Sequence, residues 1–374
     1  MRILYISKSV IPSRTANSIH VMKMCQALAD NGHEVILLAP NLKNQYENNV
    51  DNIYEFYGVK KIFFIKKLWH PNFKIGAFIY TLSIFFYLLV NKKFNLVYGR
   101  FLHGCYVATL LMNEVIFETH TPIYQEKNHR LKVFKKIIKN KYFKKLVVIS
   151  QALKNMYLDN GYLNKNKIFV AHDGADEVVD FHDTINLLGD KNSLKIGYVG
   201  HLYKGRGIEL IIECAKQIND MTFHIVGGAN KDIQYWKTYA KDLSLSNIFF
   251  YGFVTPEKTI YYKNTFDIVL APYSKKVSVS GNTGDTSKFM SPLKIFEYMS
   301  HKKAIIASDL PALREVLNSK NSLLVEPDNI ECWVNAIIKL RNNENREQLA
   351  RNAFIDFGKY SWKNRATQIL RSIS

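Results

Sequence analysis

Lys195-Ile196-Gly197-Tyr198-Val199-Gly200-His201-Leu202-Tyr203-Lys204-Gly205-Arg206-Gly207-Ile208 joins three local signals in one short stretch. Lys195 to Val199 is an apolar run of strand length, Gly200 to Gly207 is a glycine-punctuated loop, and Ile208 to Ile218 repeats apolar residues at helical spacing. Strand, glycine loop and helix in this order open a doubly wound α/β sheet, whose ligands sit at the carboxyl ends of the strands. The glycines let the backbone approach an anion, and Lys204 and Arg206 add positive charge, so the loop suits phosphate. A tight turn without a ligand would use the same glycines. The spacing matches neither G-x-G-x-x-G nor the P-loop pattern.

Outward from this loop the rhythm continues. Strands are expected at Thr222 to Val226, Ile248 to Tyr251, Ile268 to Ala271, Ala304 to Ala307 and Ser322 to Val325. The first half carries the same pattern: a strand at Arg2 to Ser7, a helix at His20 to Asn31, Gly32 as its cap, and a strand at Glu34 to Ala39. Further strands are expected at Lys61 to Ile65, Leu96 to Tyr98, Val115 to Glu118, Leu146 to Ile149 and Ile168 to Ala171. Residues 176 to 194 are polar and acidic, with Asp176, Glu177, Asp180, Asp183 and Asp190, and mark the expected boundary. One domain is therefore expected over residues 1–178 and a second over 195–357, with a terminal helix at about 358–374 packing back on the first.

With 374 residues, 47% of them hydrophobic, the chain can bury two such cores, and its 18 glycines and 9 prolines exclude collagen-like or disordered classes. Cys25, Cys105, Cys214 and Cys332 form no C-x-x-C pair, which argues against a disulfide framework or structural zinc and for a reducing, cytoplasmic setting. Met1 to Ser7 reads as a buried strand, not as a targeting segment.

The net charge of +19 is concentrated. Residues 60 to 145 hold 17 lysines and arginines against Glu114, Glu118 and Glu126, which accounts for +14 of it. Such a block either attracts an anionic partner, whether acidic lipid, a diphosphate or nucleic acid, or is a solvated face that aids solubility. No nucleic-acid motif accompanies it. The apolar run Ile75 to Val90 is too short to span a bilayer and reads as a buried core helix. Lys60, Lys61, Lys66, Lys67 and Lys74, mixed with Phe63, Phe64, Trp69 and Phe73, leave an interfacial role open. A helix-like stretch, Arg130 to Leu146, repeats that chemistry.

Two further constellations suit an anion or a hydroxyl. Ser291 is expected to cap a helix whose first residue is Pro292, which puts Lys294 in the first turn. A cation there opposes the helix dipole, and a bound anion relieves the conflict. Lys294 and Glu297 at i,i+3 could equally form a surface pair. In Phe117-Glu118-Thr119-His120-Thr121-Pro122, His120 follows a strand and can hydrogen-bond a hydroxyl, or be a satisfied structural histidine.

These motifs, taken in order, resemble glycosyltransferase family 4 over nearly the whole chain. The resemblance is carried by Gly197-Tyr198-Val199-Gly200 with Arg206-Gly207, Phe223 to Gly228, Tyr251 to Val254, Asp267 to Tyr273, Ser291 to Met299, Ala307 to Pro311, Asn31 to Val35, Ser150 and His172-Asp173-Gly174. It implies the GT-B fold, two Rossmann-like doubly wound parallel-sheet domains facing across a cleft, and a retaining, nucleotide-sugar-dependent transferase. It assigns the donor diphosphate to Arg206 and Lys294, and the cradle for phosphate and sugar to the segment of Ser291, Pro292, Leu293 and Lys294. Gly200, His201, Lys204, Gly205 and Gly228 fall on the donor side, Glu297 on the ribose, and His120 near the reacting sugar carbon.

The sequence departs from the family in two places. Phe289 stands where the first glutamate of E-x7-E belongs, so that contact falls to Asp285 or a backbone amide. The glycine pair of the first loop is replaced by Pro12 to Ser18, in which Ala16, Asn17 and Ser18 offer amides and Arg14 faces an acceptor.

The expected reaction moves a sugar from UDP or GDP to a lipid-linked glycan, as in capsule or lipopolysaccharide synthesis, at the inner face of an anionic membrane. No D-x-D stretch is placed to hold a divalent ion, so neither metal nor cofactor is expected. An epimerase or a phosphorylase on the same fold, or a non-enzymatic polyanion binder, are the rival expectations.

Overall fold

The computed structural model describes residues 1–42, 47, 50–91, 94–125, 128–178, 183–278 and 284–373. Glu126, Asp180 and the basic-block residues Lys92, Lys93 and Lys127 lie outside the described residues. The chain divides into two compact units, Met1–Asp173 with Trp362–Ser374, and Gly174–Ser361.

The first unit runs β1 (Arg2–Ile6), α1 (Ala16–Asp30), β2 (Glu34–Pro40), α2 (Ile53–Phe56), β3 (Phe64–Leu68), α3 (Gly76–Val90), β4 (Leu96–Gly99), α4 (Leu102–Leu110), β5 (Val115–Thr119), α5 (Asn128–Ile138), β6 (Phe143–Val148), α6 (Gln151–Asp159) and β7 (Ile168–Val170). Its sheet is parallel in the order β3-β2-β1-β4-β5-β6-β7. Helices cover both faces, which is why the central strands are continuous apolar runs with Ile3, Leu4, Tyr5 and Ile6 fully buried.

Helix α1 begins four residues before the expected His20, because Thr15 caps it: its hydroxyl accepts the Ser18 N–H at 3.2 Å. Strand β3 lies further along than Lys61 to Ile65, since Ile36 to Pro40 of β2 pair with Phe64 to Leu68. The expected helix Arg130 to Leu146 ends at Ile138. Asn140 turns the chain by accepting the Tyr142 N–H at 2.9 Å, and Phe143 starts β6.

The second unit runs β8 (Leu194–Val199), α7 (Ile208–Gln217), β9 (Met221–Val226), α8 (Asn230–Asp242), β10 (Ile248–Gly252), α9 (Thr259–Thr265), β11 (Ile268–Ala271), α10 (Leu293–Ser300), β12 (Ala304–Ser308), β13 (Leu323–Val325), α11 (Ile330–Lys339) and α12 (Asn343–Phe357). The sheet is again parallel, in the order β10-β9-β8-β11-β12-β13. Strand order reverses between β8 and β11 here, and between β1 and β4 in the first sheet. Each reversal opens a crevice at the strand ends. The last helix, α13 (Trp362–Arg371), belongs to the first unit and packs on α1.

Candidate active site

The loop after β8 and the segment after β11 meet at the switch point of the second sheet. Gly200 ends β8, its N–H held by the Val226 carbonyl at 2.9 Å, and a Cβ on it would stand 2.9 Å from Lys294 Nζ. Gly207, at φ +73°, is the cap of α7, and a Cβ there would lie 1.9 Å from the Pro272 carbonyl oxygen. Gly207 therefore leaves no room for a side chain where the segment after β11 crosses the loop, while Gly200 leaves space for the Lys294 ammonium.

That closeness gathers two cations. Lys294 Nζ lies 3.6 Å from the centre of the Tyr198 ring and 5.4 Å from that of Tyr273, and the Arg206 guanidinium lies 5.3 Å from the same Tyr273 ring. The Lys294 Nζ and the Arg206 Nε are buried with no hydrogen-bond partner among the described residues. Burial, and then the neighbouring Arg206, push the Lys294 ammonium well below its usual pKa. An unpaired buried ammonium costs several kcal/mol, on the order of the effective penalty for any buried ion, and an anion seated on it removes that cost.

The other residues expected on the donor side fall around this pair. The Tyr198 hydroxyl donates to the His201 carbonyl at 2.6 Å, and the His201 ring stacks on Tyr203 at 4.8 Å. Lys204 is exposed, and the Gly205 carbonyl accepts the Ser274 N–H at 3.1 Å. Gly228 follows β9 against Leu202.

Three expectations about α10 need correction. Pro292, not Ser291, is the cap residue, with extended ψ of 126°, so the helix starts at Leu293. No hydrogen bond caps it through a side chain, and Ser291 is buried. Lys294 and Glu297 do not form the surface pair, because Glu297 Oε2 accepts from the buried Lys263 Nζ at 3.1 Å. Phe289 is buried, and Asp285 Oδ1 already accepts the N–H groups of Val277 and Ser287, both at 3.0 Å.

In the first unit His120 sits in a buried polar cluster at the end of β5. Its Nε2 is 2.6 Å from Glu118 Oε1, the same oxygen that lies 2.9 Å from His20 Nε2 and 3.0 Å from Arg365 Nη2. Tyr98 donates to the other Glu118 oxygen, and His20 Nδ1 meets Asp173 Oδ1 at 2.9 Å. Arg365 also donates to the carbonyls of His172 and Ala171, at 2.8 and 3.1 Å.

Burial alone would raise the Glu118 pKa, but Arg365, His20 and His120 outweigh it and hold the carboxyl well below the usual range. Burial, and then Arg100, lower His120 to about 4. A neutral His120 facing an ionised Glu118 must carry its proton on Nε2. Its Nδ1 is then a lone-pair acceptor. His20, Glu118, His120 and Asp173 bring ligand atoms within 4.8 Å of one another, a donor set a metal could use, but the Arg365 guanidinium already supplies the cation at Glu118.

Of the loop before α1, Arg14 pairs with Glu47, Asn17 Nδ2 donates to Ser9 at 2.6 Å, Ala16 opens the helix, and the Ser18 N–H is taken by the Thr15 cap. Sequence reasoning missed Lys263, His20 and Arg365. For Arg365 a signal existed: it lies on the stripe of Trp362, Ala366 and Ile369 that α13 buries, where a charge needs a partner. Lys263, in a short helix between tyrosines and polar residues, carried no such signal.

Residues 18–178 match the family model described as Glycosyltransferase Family 4, and residues 193–343 match that described as Glycosyl transferases group 1. An uncharacterized glycosyltransferase of Methanocaldococcus jannaschii is 25% identical over 380 residues, 92% of this chain and 91% of that protein. Among solved structures, a glycosyltransferase of Rickettsia africae superposes with a TM-score of 0.73 at 16% identity, over 99% of this chain and 97% of its own. The Anabaena protein HepE, solved in complex with UDP, superposes with a TM-score of 0.72 at 14% identity, over 100% of this chain and 99% of its own.

Proposed function

This chain belongs to the glycosyltransferases, family 4 in its first half and group 1 in its second, with the GT-B fold, and from that premise we propose that it is a retaining enzyme using a UDP- or GDP-sugar. The acceptor is a lipid-linked glycan at the inner face of a membrane, in surface polysaccharide or glycoconjugate synthesis. One observation carries the donor side of this reading: the buried, unpartnered Lys294 ammonium beside Arg206 at the switch point of the second sheet. The UDP complex of HepE is consistent with it.

In this reaction the bond from the anomeric carbon to the β-phosphate oxygen breaks, and a bond to the acceptor oxygen forms on the same face. The acceptor proton passes to the departing phosphate. Negative charge grows on that phosphate, and Arg206 and Lys294 stabilise it where water is excluded. They take the role a divalent ion would otherwise fill, so the reaction proceeds without metal. Glu297, steadied by Lys263, holds the ribose hydroxyls. His120 accepts a hydrogen bond from a sugar hydroxyl through Nδ1.

The test is calorimetry with UDP and GDP, followed by a panel of their sugars with a lipid-linked acceptor in the presence of EDTA. Nucleotide binding and sugar transfer are expected, with retained anomeric configuration by NMR. A protein that binds neither nucleotide sinks the reading. Donor consumed without acceptor would indicate an epimerase.

A further inference from the structure

Helix α3 was expected to be a buried core helix, and the structure corrects this. It carries no charged residue and is apolar on opposite sides. Tyr80, Ile84 and Leu88 are buried, while Phe78, Leu82, Phe86 and Val90, four residues apart, are 62%, 41%, 61% and 83% exposed. Helix α5, reached from α3 through α4, shows the usual alternative: Phe134 and Ile137 are buried and Lys132, Lys135 and Lys136 face water. The apolar outer face of α3 is therefore not accounted for by the sheet beneath it.

Neighbouring segments extend that face. Trp69 and Phe73, in the loop before α3, are 65% and 59% exposed, and the Ser83 hydroxyl donates to the Trp69 carbonyl at 3.2 Å, tying the loop to the helix. On β3, at the edge of the sheet, Phe64 and Lys66 are exposed on one face of the strand. Lys61 and Lys74 are exposed in the same stretch, whereas Lys60 pairs with Asp30 of α1 at 3.3 Å, and from Lys60 to Asn113 the chain has no acidic residue.

We propose that this surface docks the first unit on an anionic lipid bilayer, with α3 lying in the interface. Phe78, Leu82, Phe86 and Trp69 enter the acyl boundary and the lysines meet phosphate headgroups. The 15 residues of α3, at about 1.5 Å each, are shorter than the roughly 30 Å hydrocarbon core. No helix among the described residues is long and apolar enough to cross a membrane. Charge selects the bilayer over a second copy of this chain, whose own lysines would be brought against these. The inference deepens the reading of a lipid-linked acceptor and rests on it.

The experiment is flotation of the full chain with vesicles of phosphatidylcholine alone or mixed with phosphatidylglycerol. The chain is expected to float only with the mixed vesicles, less so as salt rises, and F78S/F86S is expected to lose at least about tenfold in partitioning. An unchanged circular dichroism spectrum and melting curve of the double variant show that its first unit is folded. Trp69 emission should shift to the blue and be quenched by brominated acyl chains, and W69F should remove that signal. No flotation, equal flotation of the double variant, or an unquenched Trp69 overturns the proposal. So does a dimer in sedimentation that F78S/F86S abolishes while vesicles go unbound. Vesicle binding without transfer to a lipid-linked acceptor sinks the acceptor reading and leaves the docking surface standing; transfer in detergent without vesicle binding does the reverse.

Discussion

At Lys294 stability and function oppose one another. Its ammonium is buried against Tyr198 with no acceptor, so the free protein bears a desolvation cost that the proposed diphosphate would relieve. Lys294→Met should raise the melting temperature of the free protein by a few degrees, read by calorimetry, while nucleotide affinity falls about 10- to 100-fold, as expected for a lost charged hydrogen bond. Burial and Arg206 lower the Lys294 pKa, and a bound diphosphate raises it again. Nucleotide titrations in buffers of different ionisation heat should therefore show net proton uptake, and uptake should vanish in Lys294→Met. On the proposed ribose role of Glu297, Glu297→Ala should weaken nucleotide binding about tenfold. Lys263→Met should weaken it in the same direction because it releases the Glu297 carboxylate. Lys294 and Glu297 were both legible in the sequence, through their place on one helix. Lys263 was not, because its contact depends on how α9 lies beside α10.

At the scale of elements, α13 matters beyond its length. It carries Arg365 into the first unit and closes the charge of Glu118, beneath His120. Arg365→Met should cost about 3 to 5 kcal/mol in urea unfolding, because it strands a buried carboxylate, and Glu118→Gln in the same chain should recover part of that loss. If the double variant is no more stable than Arg365→Met alone, the ion pair is not what α13 contributes. Other elements show where periodicity reads well and where it stops. The order of strands and helices followed from apolar runs and glycines, as in β8, the Gly200 loop and α7. Boundaries shifted by one to four residues where a cap or a strand register decided them, as at Thr15, Pro292 and Phe64. Helix α3 was found in place but its burial was misread, since apolar residues on all sides do not say which side faces the sheet.

For the whole molecule the groups of the polar cluster in the first unit that titrate below neutral pH act with one sign. Glu118 and Asp173 are held below their unfolded values near 4.5 and 3.8, and His120 falls from 6.5 to about 4. Each is a depressed folded pKa, so the stability it contributes is present above the unfolded value and is lost on acidification. The melting temperature should hold from neutral pH to about 6.5, drop as His120 is forced to charge toward pH 4, and drop further as the carboxylates protonate. His120→Gln should lessen the upper part of that fall in a melting series against pH without abolishing it, because the buried His224 and His301 of the second unit, lowered to about 4 and about 2, lose stability in the same direction.

Family, fold class and the meeting of glycine loop and helix lysine were all readable from the sequence, because each is written in residues close together: alternating apolar runs, glycines at strand ends, a lysine in the first turn of a helix. The tertiary structure decided which charges meet. Glu118 finds Arg365 across 247 residues and Glu297 finds Lys263 across 34. It also decided which side of α3 is left to solvent. Local periodicity reports how a segment is shaped, whereas burial and pairing depend on what the rest of the chain brings against it.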